Sequence, residues 1–130
     1  MVDHETRFWP VEIRLKQAEK RLEIDFDDGR TFRYPAEFLR VESPSAEVQG
    51  HGPSQKQLVP GRAAVGILAL EPVGNYAIRI RFDDLHDTGI YSWAYLRHLG
   101  ENHEALWRAY VDNLAANGLS REAPRAKPAG

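Results

Sequence analysis

The residues from Phe82 to Trp93 hold the densest set of groups able to do chemistry: Asp83, Asp84, His86, Asp87, Thr88 and Ser92, with Gly89 and Tyr91 among them. Carboxylates beside an imidazole are donors for iron or zinc. His86 with Asp84, Asp87 and the distant His51 is the candidate metal-ligating set. A non-haem iron triad takes two histidines and a carboxylate on one side of the metal. Asp87 follows His86 directly, so the usual His-x-Asp spacing is missing. His98 and His103 are separated by Gly100 and do not form the i, i+4 pair of a helical zinc protease. Ser92 and Thr88 lie near His86, but a catalytic triad is assembled across a fold and sequence adjacency does not indicate one. Ser92 reads as a helix cap. The competing reading makes the three aspartates turn formers and a cap, with His86 bonded to one of them. Three carboxylates around one imidazole favour its protonated form, so His86 is expected to titrate above its ordinary value.

Two other features invite a functional reading. Gly50-His51-Gly52-Pro53-Ser54-Gln55-Lys56 resembles a phosphate loop in its glycines and lysine, yet it lacks the Gly-Lys-Ser/Thr of a Walker motif, and Pro53 removes an amide. It reads as a loop whose glycines meet backbone demands; the functional alternative is a partner contact through His51. Trp9, Tyr91, Trp93, Tyr95 and Trp107 are many large amphipathic rings for one small domain. Such residues anchor interfaces. Tyr91 and Trp93, with His51, are the candidate interaction residues; the alternative is that the rings bridge sheet and helices as core.

These groups need a scaffold. Val11–Leu15 and Leu22–Phe26 alternate apolar with charged residues, the period of half-buried strands. Asp28-Gly29 between Phe26 and Thr31-Phe32-Arg33-Tyr34 marks a hairpin. Pro35 to Val41 forms a short helix started by the proline. Residues 42–62 read as a long loop. Val65–Leu70 and Tyr76–Phe82 are two more strands, joined by a turn at Pro72-Val73-Gly74-Asn75. A helix follows Ser92 and stops at Gly100. A second, from about Asn102 to Asn117, sets Leu106, Trp107, Tyr110, Val111 and Leu114 on one face and ends at Gly118. The expected fold is α+β: one antiparallel sheet of about five strands with two C-terminal helices. Residues 1–9 are a lead-in, 10–118 the single domain, and 119–130 a disordered tail.

The chain has 130 residues, enough for one domain, and 42% are hydrophobic. A net charge of −2 and a pI near 6.2 speak against a nucleic-acid-binding domain. There is no cysteine, which excludes disulfides, thiolate zinc sites and cysteine-ligated clusters in this chain. No apolar stretch is long enough to span a membrane, and no signal segment is apparent. The expected location is the cytoplasm.

His51-Gly52-Pro53, Glu71-Pro72-Val73-Gly74-Asn75-Tyr76-Ala77 and the run through Tyr91-Ser92-Trp93 together resemble the gamma-butyrobetaine hydroxylase-like N-terminal domain family, over about residues 10 to 100. The resemblance implies a module that occurs alone in bacteria, or fused to iron-dependent dioxygenases or iron–sulfur carrier ATPases. In dioxygenase-fused members it implies structural zinc held by three cysteines and a histidine. Aligned on Leu39-Arg40, those positions here are Ser43, Ser45, Val48 and His86, a degenerate set. Serine hydroxyls ionise too weakly to replace thiolates, and valine has no donor. The implied function is a non-catalytic adaptor without cofactor. Its implied partner is a protein, an iron–sulfur carrier or iron-using metabolic enzyme, with a homodimer as another possibility. The alternative is a protein that binds iron or zinc through His86 and its acids.

Overall fold

The computed structural model describes residues 6–50 and 56–123. Among them run β1 (Pro10–Lys16), β2 (Arg21–Phe26), β3 (Thr31–Pro35), α1 (Ala36–Val41), α2 (Ala46–Gln49), β4 (Ile67–Val73), β5 (Ala77–Phe82), β6 (Ile90–Ser92), α3 (Trp93–Glu101) and α4 (His103–Ala116). The α+β class is as expected, but the strands form two antiparallel three-stranded sheets, β1-β2-β3 and β4-β5-β6, in place of one sheet of about five. Alternation places strands but does not say which neighbours pair across a long connection. Here β3 leads straight into α1, and β5 pairs with the unexpected β6.

The first sheet turns from β2 into β3 at Gly29, whose φ of +87° suits a residue without Cβ. Its register sets Ile13, Ile24 and Phe32 in line, and beside them Leu15, Leu22 and Tyr34. In the second sheet Leu70 faces Ile80, and Pro72, Ile78 and Tyr91 align. The inward residues of both sheets meet Phe38, Leu39, Trp93, Leu96 and Leu99 in one core. Burying this much apolar area is the main favourable term in folding. The one polar group that each buried tyrosine brings is satisfied: Tyr34 Oη donates to Leu96 O at 2.8 Å and Tyr91 Oη to Leu39 O at 2.5 Å.

Ser92 caps α3, its Oγ accepting from Tyr95 N at 3.0 Å. The helix does not stop at Gly100 but runs one residue beyond. Gly100 serves close packing: a Cβ there would lie 2.6 Å from the Phe32 ring. Arg97 on the same helix is buried. It reaches Asp28 through two bonds of 2.9 and 2.7 Å, and its guanidinium stacks on Phe8 at 3.9 Å. Phe8 of the expected lead-in is therefore part of the structure. On α4, Tyr110 and Leu114 are buried and Leu106 and Trp107 half-buried, but Val111, expected on the same face, is exposed. Gly118, at φ +65°, ends the turn after α4.

The sequence places residues 119–123 in the tail; the structure docks them. Ser120 O and Arg121 O accept from Gly61 N and Ala63 N, each at 2.9 Å. Arg121 makes a bidentate pair with buried Glu37, at 2.9 and 2.8 Å, and lies over Trp107. Arg121→Ala leaves that carboxylate buried and unpaired. Because the arginine itself is half-exposed, the expected loss is about 1–2 kcal/mol in urea unfolding, below the range for a fully buried pair. No change in midpoint would show that the C-terminal docking does not contribute.

Candidate functional site

Three segments build the corner around His86: the link between α1 and α2, the start of α2, and the β5–β6 connection. The connection is a tight turn. Phe82 N donates to His86 O at 3.0 Å, and Leu85 takes a φ of +73°. Two of the three aspartates hold the turn. Asp83 Oδ1 accepts from Gly66 N at 3.0 Å. Asp84 Oδ1 accepts from His86 N at 3.1 Å, and its Oδ2 lies 2.7 Å from Arg40 Nε and 2.8 Å from Arg62 Nε. Asp87 is exposed. The turn thus points the imidazole inward, away from the surface.

There His86 Nε2 lies 2.9 Å from Ser43 Oγ and 3.3 Å from Ser45 Oγ, while Nδ1 lies 3.1 Å from Glu47 Oε2. Carboxylates only accept, so Nδ1 carries the proton and Nε2 accepts from Ser43. Ser43 Oγ in turn accepts from Ser45 N at 3.3 Å. The structure thus joins Ser43, Ser45 and His86. Val48 is buried on α2, its amide bonded to Ser45 O at 3.1 Å. His51, Gly52 and Pro53 lie outside the described residues.

The expected rise in the His86 pKa is overturned. Burial, and after it the Arg40 cation, hold His86 below its ordinary value against the pull of Glu47 and Asp84. The reason is placement. The acid nearest the ring, Glu47, is 64% exposed and water screens it, whereas Arg40 is buried.

A Glu47–His86–Ser43 series has the order of a proton relay. However, Ser43 has no exposed surface, so no substrate carbonyl reaches its Oγ. The corner is closed on another side by Gly89: a Cβ there would lie 2.5 Å from Ser43 Oγ and 3.0 Å from the Tyr91 ring. Gly89→Ala is expected to cost about 1–3 kcal/mol through overpacking, read from thermal or urea melts. Unchanged stability would mean that the corner is loose. Among the described residues no three His, Asp or Glu side chains gather to hold a metal ion. A separate cleft of about 330 Å³ lies against α4, lined by Val41, Glu42, Lys56, Leu58, Tyr110 and Asn113; His86 is not part of it.

Of the expected interaction residues, His51 lies outside the described residues and the other two are buried. Tyr91 is fully buried on β6 and Trp93, the first residue of α3, is 8% exposed; both belong to the core. Exposed rings are found instead at Trp9, 43% exposed, and Tyr76, 50% exposed. The sequence reading missed Glu47, Arg40, Arg62 and Gly89. Arginine and glutamate meet the turn only through the fold, so no local spacing signals them.

Two three-stranded sheets closed by two helices, with a hydrogen-bonded histidine buried among the described residues, define a small α+β domain. The chain belongs to the family described as gamma-butyrobetaine hydroxylase-like, N-terminal, which it matches over residues 13–97. Two solution structures are 42% identical to it. One covers 92% of this chain and 94% of its own at a TM-score of 0.79, the other 100% and 97% at 0.80. A crystal structure of a protein of unknown function of the DUF971 family, from Acidithiobacillus ferrooxidans, is 41% identical, covering 70% of this chain and 91% of its own at a TM-score of 0.60. Among curated proteins none matches. No helix among the described residues is long and apolar enough to cross a membrane.

Proposed function

We propose that the chain is a non-catalytic protein-binding module of the cytoplasm that acts without a cofactor. Its partner is an iron–sulfur carrier or an iron-using metabolic enzyme. The observation that carries this reading is the inward, hydrogen-bonded His86, which leaves the chemistry-bearing turn engaged with the protein's own groups. Ser43, Ser45, Val48 and His86 then stand where fused relatives hold zinc, and this donor set does not fit zinc. Structural zinc takes thiolate, imidazole or carboxylate. Two hydroxyls and an isopropyl group supply none, and the one free imidazole nitrogen accepts from Ser43. Hydrogen bonds do here what the metal does there.

Metal removal tests that part. A structural metal couples binding to folding, so its loss lowers the melting temperature. EDTA is expected to leave the melting temperature unchanged, and stoichiometric zinc or iron in chelator-free preparations would contradict this. For the partner, the exposed Trp9 and Val11 beside the β1 edge supply an apolar contact, open to a second copy as well as to another protein. The full chain used as bait is expected to enrich an iron–sulfur carrier or iron enzyme, and Trp9→Ser with Val11→Asp to lose it. Equal capture by wild type and variant, or no iron protein at all, would oppose the reading.

A further inference from the structure

We propose that Arg40 and Arg62 form a binding site for an oxyanion, a carboxylate or a phosphate group. Both guanidiniums converge on one oxygen, Asp84 Oδ2, Arg40 Nε at 2.7 Å and Arg62 Nε at 2.8 Å. Only the first is aligned as a hydrogen bond. The Arg62 Nε–H is buried and misses the acceptor, and Arg40 Nη1 is buried with no acceptor at all. Arg40 is 8% exposed, so these are charged donors held away from water. Buried polar groups are almost always satisfied, and the exceptions mark a site that something else completes.

The neighbouring acids do not complete it. Asp84 Oδ1 is taken by His86 N. Glu42 pairs with Lys56 at 2.6 Å, and Glu47 with His86. Two guanidiniums therefore share one carboxylate. Glu47, beside a neutral His86, keeps its negative charge, but it is 64% exposed and screened by water. The guanidinium fork matches carboxylate and phosphate oxygens, and such bonds are charge-assisted. Arg40 is the fixed floor. Arg62 is the movable cover: a third of its side chain is exposed, and it is otherwise tied to Pro60 O at 3.2 Å. It borders a shallow depression shared with Pro60, Gly61, Leu119, Ser120 and Glu122. Glu122 opposes an anion there but is exposed and screened. An anion arriving by this route displaces Arg62 outward and takes the two orphaned donors.

The test follows the arginine Nε–Hε resonances of the 15N-labelled full chain. Sodium phosphate and sodium succinate are titrated separately, against sodium chloride at equal ionic strength. At least one oxyanion is expected to shift the Arg40 and Arg62 signals to saturation, where chloride does not. Saturation by phosphate alone identifies a phosphate group as the ligand, and by succinate alone a carboxylate. Arg62→Gln is expected to weaken the affinity about tenfold or more, the scale of a lost charge-assisted bond. Arg62→Lys, which keeps the charge but not the fork, weakens it too and serves if Arg62→Gln melts. Shifts that merely track ionic strength, or an affinity that both variants leave unchanged, overturn the site.

Discussion

Tyr91→Ala is expected to cost about 3–5 kcal/mol of unfolding free energy, the range for truncating a buried aromatic. The ring is fully buried at the meeting of β6, α1 and the Ser43 corner. Its hydroxyl donates to Leu39 O, so Tyr91→Phe leaves a buried carbonyl short and costs a further, smaller amount, about 1–2 kcal/mol. Domains of this kind have only about 5–15 kcal/mol in total, so the alanine variant removes a large share. Trp9→Ser is the control, since Trp9 is half-exposed. Urea melts of the three variants decide between a core role and an interface role for Tyr91. If Tyr91→Ala melts like wild type but loses a partner, the ring is an anchor after all and the packing described here is wrong.

His86→Ala is expected to cost about 2–4 kcal/mol at pH 8.5, through lost packing and an orphaned Ser43 hydroxyl. The cost falls at pH 5.5. Burial and Arg40 lower the folded-state pKa of His86 below its ordinary value of 6.5. The unfolded chain therefore binds the proton more readily. The stability linked to neutral His86 is fully present above about pH 6.5 and is lost as pH falls from there through the lowered folded value. Wild type weakens in that window while the alanine variant, lacking the group, does not follow it. Melts of both proteins at the two pH values give the comparison. A larger loss at pH 5.5 would mean that Glu47 and Asp84 outweigh Arg40 and that the imidazole is held as a cation.

Much of the scaffold was legible in the chain because it is local. The alternation in Val11–Leu15 and Leu22–Phe26, the Asp28-Gly29 hairpin and the Ser92 cap each depend on neighbours a few residues away. What depends on distant pairing was not. The split into two sheets follows from β3 turning into α1, and β6 is only three residues long, too short to show a period. Gly100 reads as a helix stop and proves to be a contact with Phe32 across the fold. At the site, Ser43, Ser45 and His86 were singled out through family resemblance, and the fold brings them within hydrogen-bond distance. The shift of His86 runs opposite to expectation because burial of the ring, and after it the Arg40 cation, outweigh acids that face Gly66, Arg40 and solvent. Tyr91 and Trp93 misled because ring chemistry is the same in a core and at an interface; burial alone separates them.

The claim on which the account turns is that His86 is a neutral imidazole closed by hydrogen bonds and bound to no metal. The imidazole nitrogen resonances of the full chain, followed from pH 5 to pH 8.5 with EDTA and then with added zinc, test it most directly. The expected result is a proton on Nδ1 with Nε2 as acceptor, a midpoint below 6.5, and no response to zinc. A midpoint above 6.5, a neutral ring with its proton on Nε2 in place of Nδ1, or a zinc-dependent shift of either nitrogen would contradict it.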